Sequence, residues 1–289
     1  MESLAALERQ DRNRLHIFVI NMDRDVDRLA WMATELTRHS FDFERFPAVR
    51  GDALPDWLRT MFEDENGRCS AMTNGEVGCY ASHLTIHRHI VERDLQGPVL
   101  VLEDDLRLNP DFGSFLTNLD ALPADWDIVR LSNPPKEAFR SAARLFGDYA
   151  AVRYWRVPNN TGAYLINQRG ARKFLERAGK RMRPVDEDLR RPWEHGLATY
   201  GVVPAPIESN IFDSTIDTIA GRGAAPARKR FKAGKVARMR GAAARLSYRL
   251  ATFGVVDCLK CWYVSTVLRM LLGKGGRRDP SVLMIGSPR

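Results

Sequence analysis

Three consecutive acids, Glu103, Asp104 and Asp105, directly follow the apolar run Val99–Leu102. Carboxylates this close repel one another unless something positive lies beside them. Hard oxygen ligands suit Mg²⁺ or Mn²⁺, and such ions commonly bridge to substrate phosphates. Alternation along an extended strand would place Glu103 and Asp105 on one side and Asp104 on the other. The triplet predicts a metal site with Glu103 and Asp105 as ligands, although a solvated turn remains the alternative.

Other side chains with chemical potential are spread along the chain. Four acids offer candidates for a general base: Asp186, Glu187, Asp188 and Glu194. His83 and His87 would share a helix face as zinc ligands do, but no glutamate lies between them to complete the metalloprotease pattern. The Cys258 and Cys261 pair is interpreted as two thiols on one helix face, which could contact a membrane.

The elements that must position these residues alternate between strands and helices. Short apolar runs predict strands at Leu15–Ile20, Phe41–Val49, Val99–Leu102, Asp127–Leu131 and Gly162–Ile166, the second at a sheet edge. Helical spacing predicts helices at Asp23–His39, Asp56–Phe62, Asn167–Ala178 and from Gly75 to the Gly97-Pro98 pair. Because Glu103, Asp104 and Asp105 follow the predicted strand Val99–Leu102, they would lie at the edge of the sheet where ligands bind in open α/β folds. We expect an α/β fold with a largely parallel sheet.

Composition supports a globular chain with a distinctive end. The 289 residues are 44% hydrophobic and 28% charged, which excludes collagen-like, low-complexity and wholly disordered chains. Four cysteines are too few and too scattered for a disulfide framework. Residues 221–289 carry a net charge of +14, whereas residues 1–220 carry −6. We therefore predict a body at 1–220 and a basic tail at 221–289.

The tail pairs its positive charge with an apolar stripe. After a linker at Gly221–Pro226, apolar residues between Val236 and Phe253 recur every three or four positions with arginines between them. This pattern is typical of an amphipathic helix on an anionic membrane surface. A nucleic-acid-binding arm is the alternative, but the stripe lacks stacking aromatics and the acidic body would repel phosphates. No nucleic acid is expected as a partner.

Localisation follows from the same features. Met1–Arg14 lacks the apolar run of a signal peptide, and no uninterrupted apolar stretch approaches the length of about 18 residues that a membrane span requires. We expect a cytoplasmic protein with reduced thiols, held peripherally on the inner face of the plasma (inner) membrane.

Five sequence blocks resemble those of glycosyltransferase family 25, which includes lipopolysaccharide sugar transferases and collagen galactosyltransferases. They are Ile20–Arg24 with Asp27–Leu29, Gly75–Cys79 with Ser82-His83, Val101–Asp105, Thr161–Ile166 with Gly170-Ala171, and Pro184–Glu187. The blocks stand in family order and cover residues 15 to about 215. One departure is His87, where many members carry an aromatic residue.

The resemblance implies a GT-A-like fold, a nucleotide-sugar donor, a divalent metal and inversion at the anomeric carbon. The expected enzyme moves a hexose, with galactose favoured, from a UDP-sugar to a lipopolysaccharide or lipid-linked saccharide. Mn²⁺ or Mg²⁺ on Glu103 and Asp105 would act on the pyrophosphate as a Lewis acid. Asp186 matches the family block and is the first choice of base, with Asp188 second. Candidate substrate-binding residues are Asn21, Arg24, Arg28, Glu76, Ser82, His83, Asp104, Thr161 and Gly162.

Several of these residues have plain structural alternatives. Arg24 could be a surface arginine paired with a neighbouring acid, Asn21 could cap a turn, and Asp186 could cap a helix. Ser82 and His83 are adjacent helical residues and do not face each other, so hydrolytic Ser/His chemistry is not expected. Another Mg²⁺-dependent phosphoryl-transfer enzyme is a rival, but the chain lacks a Walker-type glycine loop.

Overall fold

A computed structural model describes residues 15–132, 134–209, 211, 235–272 and 283–285. The described strands are β1 (His16–Asn21), β2 (Glu44–Pro47), β3 (Glu63–Asp64), β4 (Gly67–Arg68), β5 (Val99–Leu102), β6 (Leu106–Leu108), β7 (Ile128–Arg130), β8 (Phe139–Arg144), β9 (Ala150–Tyr154), β10 (Ala163–Ile166), β11 (Thr199–Val203), β12 (Ile207–Ser209) and β13 (Met284–Ile285). The described helices are α1 (Val26–Arg38), α2 (Asp56–Phe62), α3 (Asn74–Glu92), α4 (Phe112–Leu116), α5 (Gln168–Glu176), α6 (Val185–Leu189), α7 (Pro192–His195) and α8 (Lys235–Leu272). A short 3₁₀ helix lies at Leu119–Ala121.

One large sheet organises the body, with strand order β13-β8-β9-β11-β7-β10-β5-β1-β2. The pairings make seven of these nine strands run in one direction, while β9 and β10 run in the other. The prediction of a mostly parallel sheet in an α/β fold is confirmed, and β2 lies at an edge as expected. The sequence pattern did not indicate that β10 is antiparallel to both of its neighbours, β5 and β7.

Helices cover both faces of this sheet, so there are two cores. Within β5, Val99 and Val101 point to the core under α2, α3 and α5, whereas Leu100 and Leu102 point to the core under α1 and α4. All four side chains are fully buried. This explains why β5 is a continuous apolar run, which is the pattern of a strand covered on both faces.

Most predicted elements agree with the structure within a few residues. The β8–β9 hairpin was not predicted, because arginines interrupt the apolar residues of both strands. β11 was not predicted either, and Gly201 interrupts its apolar residues. The predicted linker at Gly221–Pro226 lies outside the described residues.

The tail helix α8 is longer than predicted and packs on the body. It bends at Gly254, whose φ of 71° is left-handed and suits a residue without Cβ. Arg249 Nη2 donates to the carbonyl of Trp155 (3.1 Å), and the Phe253 ring packs edge-on against Trp155. Cys258 and Cys261 are buried against the body, so the interpretation that these thiols contact a membrane is wrong.

The outward face of the same helix exposes large apolar side chains to solvent. Large apolar side chains there include Val255, Val256, Leu259, Trp262 and Tyr263, which are 59–65% exposed. Within the described residues, one helical segment, Met239–Val267, is long and apolar enough to cross a membrane by length and composition, with a mean hydropathy of 1.2. Charged residues interrupt this segment, so the sequence has no uninterrupted apolar run here.

Candidate active site

The candidate site lies at one edge of the sheet, where three neighbouring strands deliver polar residues. Asn21 ends β1, Glu103 follows β5, and Thr161 precedes the antiparallel β10. Ala163 pairs with Leu102 across the β5–β10 ladder, and the Glu103 amide donates to the carbonyl of Gly162 (2.7 Å). The reversed direction of β10 thus brings its amino end to the carboxyl ends of β1 and β5, where ligands bind in open sheets.

Asp104 and Asp105 face helix α1. Arg28 Nη1 lies 3.0 Å from an oxygen of Asp104, and its Nη2 lies 3.5 Å from an oxygen of Asp105. Asn21 Nδ2 donates to Asp104 (2.8 Å), and Asn21 Oδ1 accepts from Arg45 Nε (3.1 Å). Asn21 is buried and positions Asp104, while Arg28 neutralises part of the charge of the triplet.

Glu103 turns the other way, toward α3. Its Oε1 lies 3.4 Å from His83 Nε2 and accepts from the Thr161 hydroxyl (3.2 Å). The predicted alternation, with Asp104 alone on its side, is wrong because β5 ends at Leu102 and the acids lie in a bend where period-2 geometry no longer holds.

The three carboxylates differ in their electrostatics. Burial, then the charges of Glu103 and Asp104, raises the pKa of Asp105 to about 7. Burial also raises the pKa of Asp104, against the opposing effects of Arg28 and Asn21. Burial alone would raise the pKa of Glu103, but the contact with His83 and the Thr161 hydrogen bond outweigh it and lower the pKa. Asp105 is therefore the acid with the least compensated charge.

His83, Tyr164 and His87 form a buried hydrogen-bonded group next to Glu103, called here the His–Tyr–His relay. The Tyr164 hydroxyl lies 2.9 Å from His83 Nδ1 and 3.0 Å from His87 Nε2. Burial lowers the pKa of His87 to about 3, so this ring is neutral near neutral pH. The two histidines share a helix face, as predicted, but the hydroxyl between them takes the place that a shared zinc ion would need.

One group among the described residues has the spacing of metal ligands. Single ligand atoms of Cys79, His83 and Glu103 lie within 4.8 Å of one another. Glu103 thus belongs both to this group and to the predicted Glu103–Asp105 pair. The sequence analysis did not place Cys79 with His83 and Glu103, although Cys79 lies one helical turn before His83.

The two base candidates on α6 have different surroundings. Asp186 is partly exposed, Asn159 Nδ2 donates to its Oδ2, and burial raises its pKa. Asp188 is fully buried: it accepts from the Tyr80 hydroxyl (2.6 Å) and forms an ion pair with Arg177 (3.0 Å). We withdraw Asp188 as a base because no acceptor hydroxyl can reach it. Asp186 is not the N-cap of α6, which begins at Val185 after Pro184, but its Oδ1 accepts from the Glu187 amide in the first turn (2.8 Å).

Two substrate-binding candidates on α3 have structural roles. Glu76 completes a capping box: its side chain accepts from the Thr73 amide (2.8 Å), and its own amide donates to the Thr73 hydroxyl. The Ser82 hydroxyl accepts from the Val49 amide (2.8 Å) and fixes the loop after β2. Gly78 permits that contact, since a Cβ there would lie 2.6 Å from the Val49 carbonyl oxygen. We withdraw Glu76 and Ser82 as substrate contacts.

Arg24 lies apart from the acidic triplet. Its side chain is 53% exposed and lies 3.6 Å from Asp25, as the surface-arginine alternative proposed. Of the two arginines after β1, Arg28 is the one at the site.

Sequence reasoning missed Arg130, which ends β7 and pairs with Tyr164 in the β7–β10 ladder. Its side chain is 1% exposed, and its Nε and Nη1 atoms have no hydrogen-bond partner among the described residues. Burial lowers its pKa, opposed by nearby Tyr154, Tyr164, Asp186 and Glu103. An arginine inside an apolar strand is itself a signal, since unpaired charges are almost never fully buried. Its unsatisfied guanidinium, near enough to Glu103 and Asp186 to interact with their charges, makes it a candidate for binding an anion.

Comparisons with known proteins show which family this chain is similar to. The family model described as "Glycosyltransferase family 25 (LPS biosynthesis protein)" matches residues 14–189. A solved glycosyltransferase involved in the glycosylation of the major capsid of PBCV-1 is 12% identical, with a TM-score of 0.30, covering 55% of this chain and 62% of that one. That structural likeness is too weak to carry an argument.

Curated proteins provide closer similarity in sequence. Procollagen galactosyltransferase 1 of Danio rerio is 34% identical over 194 residues, which cover 60% of this chain and 30% of the relative. Procollagen galactosyltransferase 1-B of Xenopus laevis is 35% identical over 207 residues, covering 64% and 32%. "Probable inactive glycosyltransferase 25 family member 3" of Bos taurus is 34% identical over 192 residues, covering 60% and 31%. The chain spans about a third of the length of these relatives.

Proposed function

Because the chain belongs to glycosyltransferase family 25, we propose that it is an inverting glycosyltransferase that moves a hexose from a UDP-sugar to a saccharide acceptor. Galactose is the favoured sugar, since two similar proteins carry the name procollagen galactosyltransferase. The observation that carries the proposal is the acidic triplet beside Arg28, at the ligand-binding edge of the sheet. We further propose a lipopolysaccharide or lipid-linked acceptor.

The donor diphosphate needs positive charge around it. Burial, followed by the charges of Glu103 and Asp104, raises the pKa of Asp105 to about 7, and a divalent cation would compensate this concentration of carboxylates. Glu103 and Asp105 would hold Mn²⁺ or Mg²⁺, with His83 as the neighbouring ligand candidate. When bound, the ion would neutralise charge on the leaving diphosphate. Arg28 forms ion pairs with Asp104 and Asp105, and buried Arg130 interacts electrostatically with Glu103, so both are candidate cations for phosphate oxygens.

The chain's residues have distinct tasks in this proposal. Asp104, fixed by Asn21 and Arg28, would accept hydrogen bonds from the donor sugar or ribose. Thr161 and His83 hold Glu103 in place. Asp186 would remove the proton from the acceptor hydroxyl, and its raised pKa makes it a stronger base than an ordinary aspartate.

The tail helix supports a location on a membrane surface. One face of α8 packs on the body through residues such as Phe253 and Cys261, while Val255, Leu259 and Trp262 remain exposed. Exposed apolar patches of this kind mark interaction sites. Because α8 packs on the body that carries the candidate site, we propose that it lies on the bilayer surface rather than spanning it. The basic charge of the tail favours the anionic inner leaflet, at about 1 kcal/mol per Lys or Arg near the surface.

The decisive experiment supplies the purified full chain with UDP-galactose, Mn²⁺ and glycolipid extracts from cells that lack the gene. Mass spectrometry should detect an acceptor heavier by one hexose, and NMR of the product should show inverted anomeric configuration. UDP release that needs no acceptor would indicate hydrolysis instead. If no nucleotide sugar yields an acceptor-dependent product, the proposal is wrong.

A further inference from the structure

A cavity lies where α8 meets the body. It encloses about 410 Å³ and is formed by the end of β9, the α6–α7 region and one side of α8. Its charged lining consists of Arg156, Arg190, Arg191, Arg245, Arg249, Glu137 and Glu187. Five guanidinium groups against two carboxylates leave an excess of positive charge, so the lining suits an anion.

The arginines are crowded. Burial, followed by the charge of Arg245, lowers the pKa of Arg249 to about 10. Burial and then Arg156 lower the pKa of Arg190. Arg249 Nε is buried and has no hydrogen-bond partner among the described residues. An anion with several acceptor oxygens would relieve this repulsion and satisfy the free donor, and phosphate suits guanidinium groups in geometry and charge.

The cavity is connected to the candidate base. Arg190 Nη1 donates to Asn159 Oδ1 (3.2 Å), and Asn159 Nδ2 donates to Asp186. Glu187, the next residue, lines the cavity itself. A molecule bound among the arginines would therefore lie on the Asp186 side of the site, where the acceptor hydroxyl must be.

Aromatic residues complete the lining. The Trp193 and Tyr248 rings lie 6.3 Å apart, and Trp155 and Trp262 also line the cavity. Trp262 is 59% exposed and also belongs to the outward apolar face of α8. A ligand could thus have its phosphate among the arginines and its chain along the apolar face of the helix.

We propose that this cavity binds a phosphate group carried by the glycolipid acceptor and thereby places the acceptor beside Asp186. The inference rests on the proposed glycosyl transfer and adds the class of acceptor, a phosphate-bearing amphiphile. It also gives the tail helix a second task, since Arg245, Arg249 and Trp262 of α8 form one wall of the acceptor site.

The test is calorimetric titration of the full chain, saturated with UDP, with octyl phosphate and with octyl glucoside. Arg191 and Arg245 are the arginines to change, because Arg190 and Arg249 hold the backbone carbonyls of Val157 and Trp155. We expect octyl phosphate to bind, octyl glucoside to bind at least tenfold more weakly, and Arg191→Ala/Arg245→Ala to weaken octyl phosphate at least tenfold. Arg240→Ala removes a charge from the same helix outside the cavity and should change the affinity less than twofold.

Each other outcome has a clear meaning. Equal binding of octyl phosphate by the wild type and the double variant, or equal binding of octyl glucoside and octyl phosphate, would overturn the proposal. So would a double variant that loses only its binding to phosphatidylglycerol vesicles, since the arginines would then serve a bilayer surface. Arg245→Glu, at an exposed position, repeats the test if the double variant folds poorly. Failure of UDP to bind would count against the glycosyltransferase proposal, and the octyl phosphate result would still decide the nature of the cavity.

Discussion

Arg28 and Asp105 are 3.5 Å apart at their nearest Nη2 and Oδ2 atoms, while the same guanidinium lies 3.0 Å from Asp104. One arginine on α1 thus pairs with two carboxylates, and its shorter contact is with Asp104. Burial, followed by the charge of Glu103, raises the pKa of Asp105 to about 7, although Arg28 opposes this rise. This imbalance is the physical reason to expect a second cation at the triplet.

Asp105→Asn should reduce metal-stimulated transfer strongly. Loss of one carboxylate ligand removes several kcal/mol of charge stabilisation, which corresponds to a rate decrease of at least about 100-fold. The measurement is acceptor-dependent UDP release as a function of Mn²⁺ concentration. Asp52→Asn, a change at an exposed aspartate paired with Arg50, is the matched control and should leave the rate unchanged. Wild-type activity that persists in excess chelator would show that no divalent metal is needed.

Tyr164→Phe tests whether the Tyr164 hydroxyl positions Glu103 for metal binding in addition to stabilising the fold. The change removes only the hydroxyl that joins His83 and His87, so Glu103 loses its support through His83. We expect a higher Mn²⁺ concentration for half-maximal rate, together with a loss of about 1–3 kcal/mol of stability from the unsatisfied partners.

Tyr149→Phe is the control for that change. The Tyr149 hydroxyl donates to Asp111 (2.7 Å) in the other core, so its loss should destabilise the fold without altering the Mn²⁺ requirement. If both variants change the metal requirement alike, the relay has no positioning role.

Asp186→Asn should lose catalytic activity, whereas Asp188→Ala should lose stability. Loss of a general base lowers the rate by about 10²–10⁴-fold, so Asp186→Asn should lose turnover while keeping its melting temperature and UDP affinity. Asp188→Ala leaves Arg177 without its buried partner and should cost about 3–5 kcal/mol in the free energy of unfolding. Urea unfolding and steady-state kinetics on both variants distinguish the two roles, and full activity in Asp186→Asn would refute its assignment.

Acid should destabilise the fold through two buried histidines. Burial lowers the pKa of His87 to about 3, and burial together with Arg177 does the same for His195. Between pH 6.5 and about 3 the unfolded chain therefore binds protons that the folded chain does not, so stability is fully present above pH 6.5 and is lost as pH falls. Each histidine contributes at most about 1.4 kcal/mol per pH unit. His195→Gln should flatten the pH dependence of the urea midpoint, and an unchanged slope would contradict this account.

The sequence indicated the scaffold better than it indicated the site. Apolar runs such as Val99–Leu102 predict strands because a strand that is buried on both faces needs consecutive apolar residues. This pattern can be recognised within a few neighbouring positions. The direction of Glu103 was wrong because it depends on where the strand ends and on a histidine 20 positions earlier. Arg130 was missed because its partners come from other strands and from α6. The candidate site depends on contacts between residues that are far apart in the sequence, and patterns in a single sequence do not reveal such contacts.

The family blocks illustrate the same limit. Glu76 and Ser82 belong to a motif that resembles a family signature, yet one caps α3 and the other fixes the loop at Val49. A motif can therefore be specific for a family because it builds the scaffold. His83, from the same block, is the residue that reaches Glu103, since its position on α3 directs its ring at the sheet.

The exposed face of α8 should decide membrane binding. Val255→Asp/Leu259→Asp replaces two outward apolar side chains, each worth about 1.5–3 kcal/mol when buried, so binding to phosphatidylglycerol vesicles should weaken at least about 100-fold. Val26→Asp is the matched control, because Val26 and Val255 are both 65% exposed but Val26 lies on α1. Sedimentation with vesicles at low salt and again at about 0.5 M NaCl, where the Debye length is only a few ångströms, measures the apolar and ionic contributions separately. A wild-type chain that stays in the supernatant at low salt, or a double variant that sediments like the wild type, would exclude α8 as the membrane-binding element.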